Sequence, residues 1–101
     1  MAEAPPWKLD VPDLVDDVIR TLHPGLKRKI RAALDGIRSD PTSGKALQDD
    51  LEGLRSVRVS HFRIIYRLEG RRIVKLIALG PRRTIYQETT RMERRERAEE
   101  R

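Results

Sequence analysis

The order of apolar periodicities along the chain predicts an α+β fold. It comprises an N-terminal strand, an antiparallel helical hairpin, and a three-stranded antiparallel meander that completes one twisted sheet, with a short C-terminal helix or tail. Three observations carry this expectation. Residues 14–37 show two apolar stripes at helical spacing, parted by one break. Residues 54–79 form three short runs rich in β-branched side chains. Residues 87–101 hold almost no apolar side chain besides Met92 and Ala98. Helices grouped apart from strands, rather than alternating with them, belong to α+β architecture.

Trp7-Lys8-Leu9-Asp10-Val11 alternates apolar and polar, as a half-buried strand does. Pro12 presets φ for a first helical turn, and Asp13, Asp16 and Asp17 suit the positive end of that helix. Leu14, Val15, Val18, Ile19 and Leu22 share one face. His23-Pro24-Gly25 ends the helix, with His23 placed as a cap and Pro24 opening the next. Leu26, Ile30, Ala33, Leu34 and Ile37 form a second stripe, with Lys27, Arg28, Lys29 and Arg31 off it. So short a break predicts an antiparallel pair whose apolar faces dock on the sheet. Residues 39–44 read as loop and residues 45–53 as irregular. Strands are expected at Leu54–Val59, Phe62–Leu68 and Arg72–Leu79, with a turn near Glu69-Gly70 and another at Gly80-Pro81. The tail, residues 87–101, reads as a polar helix or a disordered end.

With 101 residues, one domain spanning 1–101 is expected, residues 1–6 being a flexible start. No cysteine is present, so disulfides and thiolate metal sites are excluded and a reducing cytoplasm fits. No apolar run reaches the roughly 18 residues of a membrane span, and the start lacks the basic and apolar regions of a secretory signal. The formal net charge is +6 and the pI near 10.3. Residues 52–95 carry 12 basic and 4 acidic side chains, whereas residues 1–51 carry 8 and 9. So segregated a surplus points to a polyanionic partner.

The arginines of that segment form a pattern. If Ser60-His61 is a two-residue hairpin loop, Val59 faces Phe62, Arg58 faces Arg63 and Val57 faces Ile64. Val57, Val59, Phe62, Ile64 and Tyr66 then meet the helices, and Arg58, Arg63 and Arg67 share the opposite face. Like charges in direct cross-strand opposition destabilise a sheet by up to about 1 kcal/mol. Guanidinium groups match phosphate oxygens with paired hydrogen bonds, so an anion site would explain the pair; arginines splayed into solvent, or met by Asp49, Asp50 or Glu52, would also satisfy it. Gly80-Pro81 would lift Arg82 and Arg83 to the sheet's end, with Tyr86 just beyond. Tyr86 is a packing residue at a strand end or, beside several arginines, a proton relay. No phosphate-cradling glycine loop, metal-ligand spacing or serine–histidine arrangement competes.

These residues resemble the RelE/ParE superfamily of type II toxins. The likeness rests on the leading strand, the helical hairpin, Leu-Arg-Ser-Val-Arg-Val-Ser-His-Phe-Arg-Ile-Ile-Tyr at 54–66 and Leu-Gly-Pro-Arg-Arg-Thr-Ile-Tyr at 79–86. It covers roughly residues 7–90. For RelE-like members the resemblance implies a messenger-RNA endonuclease that acts in the ribosomal A site without metal or cofactor. In that chemistry the ribose 2′-hydroxyl attacks the adjacent phosphate, leaving a 2′,3′-cyclic phosphate and a 5′-hydroxyl. Arg58, Arg63, Arg82 and Tyr86 match the catalytic positions. Arg63 and Arg82 would stabilise the pentavalent phosphate, and Tyr86 would act as acid or base or stack on a nucleotide. Arg55, Arg67, Arg83, Lys27 and Arg28 would contact RNA, although the Lys27–Arg31 stripe equally suits the solvated side of its helix.

Ser56 departs from the pattern, which often has lysine there. His61, titratable near neutrality, is a conceivable substitute base, but the family does not use that turn position and a turn histidine is usually plain surface. The resemblance leaves two other branches open: a ParE-like inhibitor of DNA gyrase, and a non-catalytic RNA- or antitoxin-binding relic. It implies a cognate antitoxin as partner, with the ribosome and messenger RNA, or else gyrase, as target, and no membrane.

Overall fold

A computed structural model describes residues 6–99 of the chain. The expectations for residues 1–5 and 100–101 lie outside the described residues. Strand β1 (Lys8–Asp10) leads into α1 (Asp13–Thr21) and α2 (Pro24–Ser39). A two-residue strand β2 (Lys45–Ala46) follows, then β3 (Leu54–Val59), β4 (Phe62–Glu69), β5 (Ile73–Pro81) and the helix α3 (Ile85–Glu99). The sheet has the order β1-β5-β4-β3-β2, with β1 parallel to β5 and the other pairs antiparallel. The architecture is α+β, as expected.

The helices start where local chemistry favours them. Pro24 opens α2 behind His23, whose Nδ1 accepts the Gly25 N–H at 3.1 Å, which makes His23 the cap the sequence suggests. Val15 and Ile19 of α1 and Ile30, Leu34 and Ile37 of α2 pack against Val59, Ile64, Tyr66, Val74, Leu76 and Leu79. Each fully buried aliphatic side chain there contributes about 1.5–3 kcal/mol. The register between β3 and β4 is the expected one, pairing Val59 with Phe62, Arg58 with Arg63 and Val57 with Ile64.

Three expectations give way. The sheet has five strands rather than a leading strand plus three, because residues 45–46 pair with β3. Their loop is held from a distance: the Tyr66 hydroxyl accepts the Gly44 N–H at 3.0 Å and donates to Pro41 O at 2.7 Å. Burial of this phenol raises its pKa from the ordinary 10.0, and the Gly44 bond partly offsets that.

Secondly, Gly80 and Pro81 are not a turn but the end of β5, paired with Arg63 and Phe62. Arg82 continues that contact by donating its N–H to His61 O at 2.8 Å. The position tolerates proline because β1 pairs only with Ile73–Lys75, leaving the rest of that side of β5 without a partner strand.

Thirdly, the sheet face opposite α1 and α2, where Arg58, Arg63 and Arg67 were expected, is partly apolar and covered. Leu51, Leu54, Ile65, Ala78 and Ile85 form a second apolar cluster there, beneath α3. A register shift at Ile65/Tyr66 makes Ile77 the extra residue of β5, so Ile77 and Ala78 both join this cluster while Leu76 and Leu79 stay in the first. The start of α3 fits over Gly80, where a Cβ would lie 3.0 Å from Ile85 Cδ1. Further along, Arg94 pairs with the Asp50 carboxylate at 2.8 Å and Arg97 donates to Asp50 O at 3.1 Å.

Candidate nucleic-acid interface

The hairpin joining β3 to β4 turns in two residues, and Ser60 adopts φ 57°, a left-handed conformation uncommon outside glycine, asparagine and aspartate. This tight tip places Arg58 and Arg63 opposite each other on the sheet face away from α1 and α2. Their guanidinium groups then diverge. Arg58 Nε reaches toward the tip and donates to Ser60 O at 3.3 Å. Arg63 Nη1 points the other way and donates to Ser56 Oγ at 3.1 Å. The divergence relieves the like-charge opposition without any carboxylate among the described residues, and it divides the cross-strand pair between two adjoining places.

The first place is a cleft of about 550 Å³ at the hairpin tip, lined by Arg58, Ser60, His61, Pro81, Arg82 and Arg83. The bond from Arg82 N to His61 O ties the hairpin tip to the segment after β5, so its two walls are held together. Three arginines and one histidine line it, and among the described residues no carboxylate does. Such a set suits an anion, since guanidinium donors pair with phosphate oxygens.

The second place centres on Ser56, which is 2% exposed. Its Oγ accepts both Arg63 Nη1 and the Tyr86 hydroxyl, each at 3.1 Å. Arg63 also lies over the Tyr86 ring, with Cζ 5.6 Å from the centroid, a cation–π arrangement. Arg63 Nε is buried without a hydrogen-bond partner among the described residues. Tyr86 is in the first turn of α3 rather than at a strand end, and it borders a groove of about 440 Å³ with Gln87, Thr90, Arg91 and Arg94.

Of the residues singled out in the sequence, Arg58, Arg82 and Arg83 therefore share the cleft, and Arg63 and Tyr86 join through Ser56 beside it. The rest are elsewhere. Arg55 Nη1 donates to Thr42 O at 3.2 Å and Gly44 O at 2.9 Å, and so serves the loop before β2. Arg67 is paired with Glu69 at 2.8 Å. Lys27 donates to Arg20 O at 3.1 Å and, like Arg28, lies on the helical layer behind the sheet. The pivotal role of Ser56 had no local signal: a serine in a strand is unremarkable until Arg63 and Tyr86 are known to converge on it. Among the described residues no three or more His, Asp or Glu side chains gather as metal ligands, and no helix is long and apolar enough to cross a membrane.

Comparison with known proteins places this fold. The chain resembles, at 21% identity and a TM-score of 0.68, the toxin–antitoxin complex RelBE2 from Mycobacterium tuberculosis, covering 76% of this chain and 99% of that one. It resembles the isolated E. coli RelE toxin at 16% identity and a TM-score of 0.66, covering 85% and 97%. A third likeness is to the archaeal RelE–RelB complex from Pyrococcus horikoshii, at 18% identity and a TM-score of 0.63, covering 75% and 94%. At such identities the likeness is one of fold. Among curated proteins none matches. The family model for the ParE toxin of type II toxin–antitoxin system, parDE, matches residues 10–86. By that match the chain belongs to the ParE toxin family of type II toxin–antitoxin systems, within the RelE/ParE superfamily.

Proposed function

We propose that this toxin is a ribosome-dependent messenger-RNA endoribonuclease, active in the cytoplasm and neutralised by a cognate antitoxin. The observation that carries the reading is the cleft at the hairpin tip, where Arg58, Arg82 and Arg83 converge with no carboxylate between them. Arg58 and Arg82 hold the scissile phosphate through its non-bridging oxygens, and Arg83 extends the contact along the backbone. Charge that grows on those oxygens as the 2′-hydroxyl attacks is met by donors already in place. Arg63 adds positive field from beside the cleft, and Tyr86 offers a ring for the neighbouring nucleotide. The products are a 2′,3′-cyclic phosphate and a 5′-hydroxyl. An antitoxin partner is supported by the RelBE2 and RelE–RelB complexes that this fold resembles.

A second reading is favoured by one specific observation: the matching family model is that of ParE, whose members are expected to inhibit DNA gyrase. The two separate in one pair of assays, a translation reaction programmed with a defined messenger and a gyrase supercoiling reaction, each given the purified chain. Cleaved messenger with unimpaired supercoiling supports the nuclease. Intact messenger with supercoiling lost supports the gyrase inhibitor and overturns the proposal.

A further inference from the structure

The arginines that would hold a phosphate in the cleft cannot move a proton. Arginine stays protonated at any pH the cell meets. Attack by a 2′-hydroxyl nevertheless requires that its proton leave. Tyr86, the tyrosine that the resemblance assigns to this step, does not line the cleft. Its hydroxyl is turned inward and bound to Ser56 Oγ, itself 2% exposed. Ser60 lines the cleft, but a serine hydroxyl is no base at neutral pH. That leaves His61. It is the residue at the cleft wall whose side chain carries a ring-nitrogen lone pair that can take up a proton. It is exposed, and its backbone carbonyl is anchored by Arg82 N at 2.8 Å, so the ring is carried on a fixed segment. The charged groups lining the cleft with it are Arg58 of β3 and Arg82 and Arg83 of the turn after β5, all cations.

We propose that His61 is the proton acceptor of this site, a role that rests on the endoribonuclease reading above. The 2′-O–H bond breaks and its proton passes to the imidazole as the O2′–P bond forms. The P–O5′ bond breaks, its electron pair stays on O5′, and that oxygen takes a proton from water. The hydroxide left behind takes the proton from the imidazolium, so the cycle closes without a net proton change. His61 thus supplies the proton acceptor that Ser56 does not, and Ser56 instead holds Arg63 and Tyr86 in position.

The test is the single-turnover cleavage rate on programmed ribosomes, measured from about pH 5.5 to 9 for the wild-type chain, His61→Gln, His61→Ala and Arg82→Ala. Wild-type cleavage is expected to rise with pH through a single inflection and then level off. His61→Gln should lose the inflection and about 10²–10⁴-fold in rate, the usual contribution of a general base, and added imidazole should restore part of the His61→Ala rate. An unchanged rate and inflection in His61→Gln, with cleavage lost in Arg82→Ala, overturns the role of His61 and leaves the nuclease standing. No cleavage by the wild-type chain overturns both.

Discussion

Ser56 shows how much one side chain can organise. A lysine at that position would place a charge beside Arg63; serine instead supplies two lone pairs, and Arg63 and Tyr86 each use one. Ser56→Ala would leave both donors without a partner in a half-buried place. We expect it to lower unfolding free energy by about 1–3 kcal/mol in urea titrations; a change below about 0.5 kcal/mol would show that the two bonds carry no weight. Tyr66 is the buried counterpart on the other face. Its folded pKa is raised, so the folded state holds the phenolic proton more tightly than the unfolded chain. Stability from this group is therefore complete below pH 10.0 and falls as pH rises from there through the higher folded value. A single proton limits the slope of that fall to no more than about 1.4 kcal/mol per pH unit. Tyr66→Phe should flatten that alkaline decline, while lowering stability at pH 7 through the lost bonds to Pro41 and Gly44. An alkaline decline equal in both proteins would contradict the assignment.

Among the elements, α3 decides how much of the basic sheet is left open. It covers the second apolar cluster through Ile85 and is tied at its far end to Asp50. Gly80→Ala would press a methyl group against Ile85 Cδ1, 3.0 Å away, at the point where the helix begins. The expected result is a loss of about 1–3 kcal/mol, with faster amide exchange in the first turns of α3; unchanged exchange would mean the helix is not seated on Gly80. The docked position of α3 was not legible in advance. Residues 87–101 carry almost no apolar side chains, and the helix is held instead by its first turn and by a partner more than 40 residues earlier in the chain. Strand β2 was hidden for a similar reason, since a tyrosine hydroxyl from β4 shapes the loop before it. By contrast, the pairing of β3 with β4 could be read directly. Val57, Val59, Phe62 and Ile64 must share the buried face, and a two-residue turn admits one register. Register set the Cα atoms of Arg58 and Arg63 opposite each other. It could not set their guanidinium directions, which depend on side-chain torsions and on acceptors at Ser60 and Ser56.

For the whole molecule, the charge surplus of residues 52–95 resolves into a geometry. Some of its arginines serve structure: Arg55 the loop before β2, Arg67 its pair with Glu69, Arg94 the seat of α3. Arg58, Arg82 and Arg83 meet at the hairpin tip, and this convergence is the basis of the proposed nuclease. The most direct measurement of that claim is a map of transcript 5′ ends in a bacterium after induction of the chain or of Arg82→Ala. New 5′-hydroxyl ends are expected at codon-phased positions within reading frames, absent with Arg82→Ala. Growth arrest by the wild-type chain with an unchanged 5′-end map, accompanied by relaxation of plasmid DNA, would contradict it.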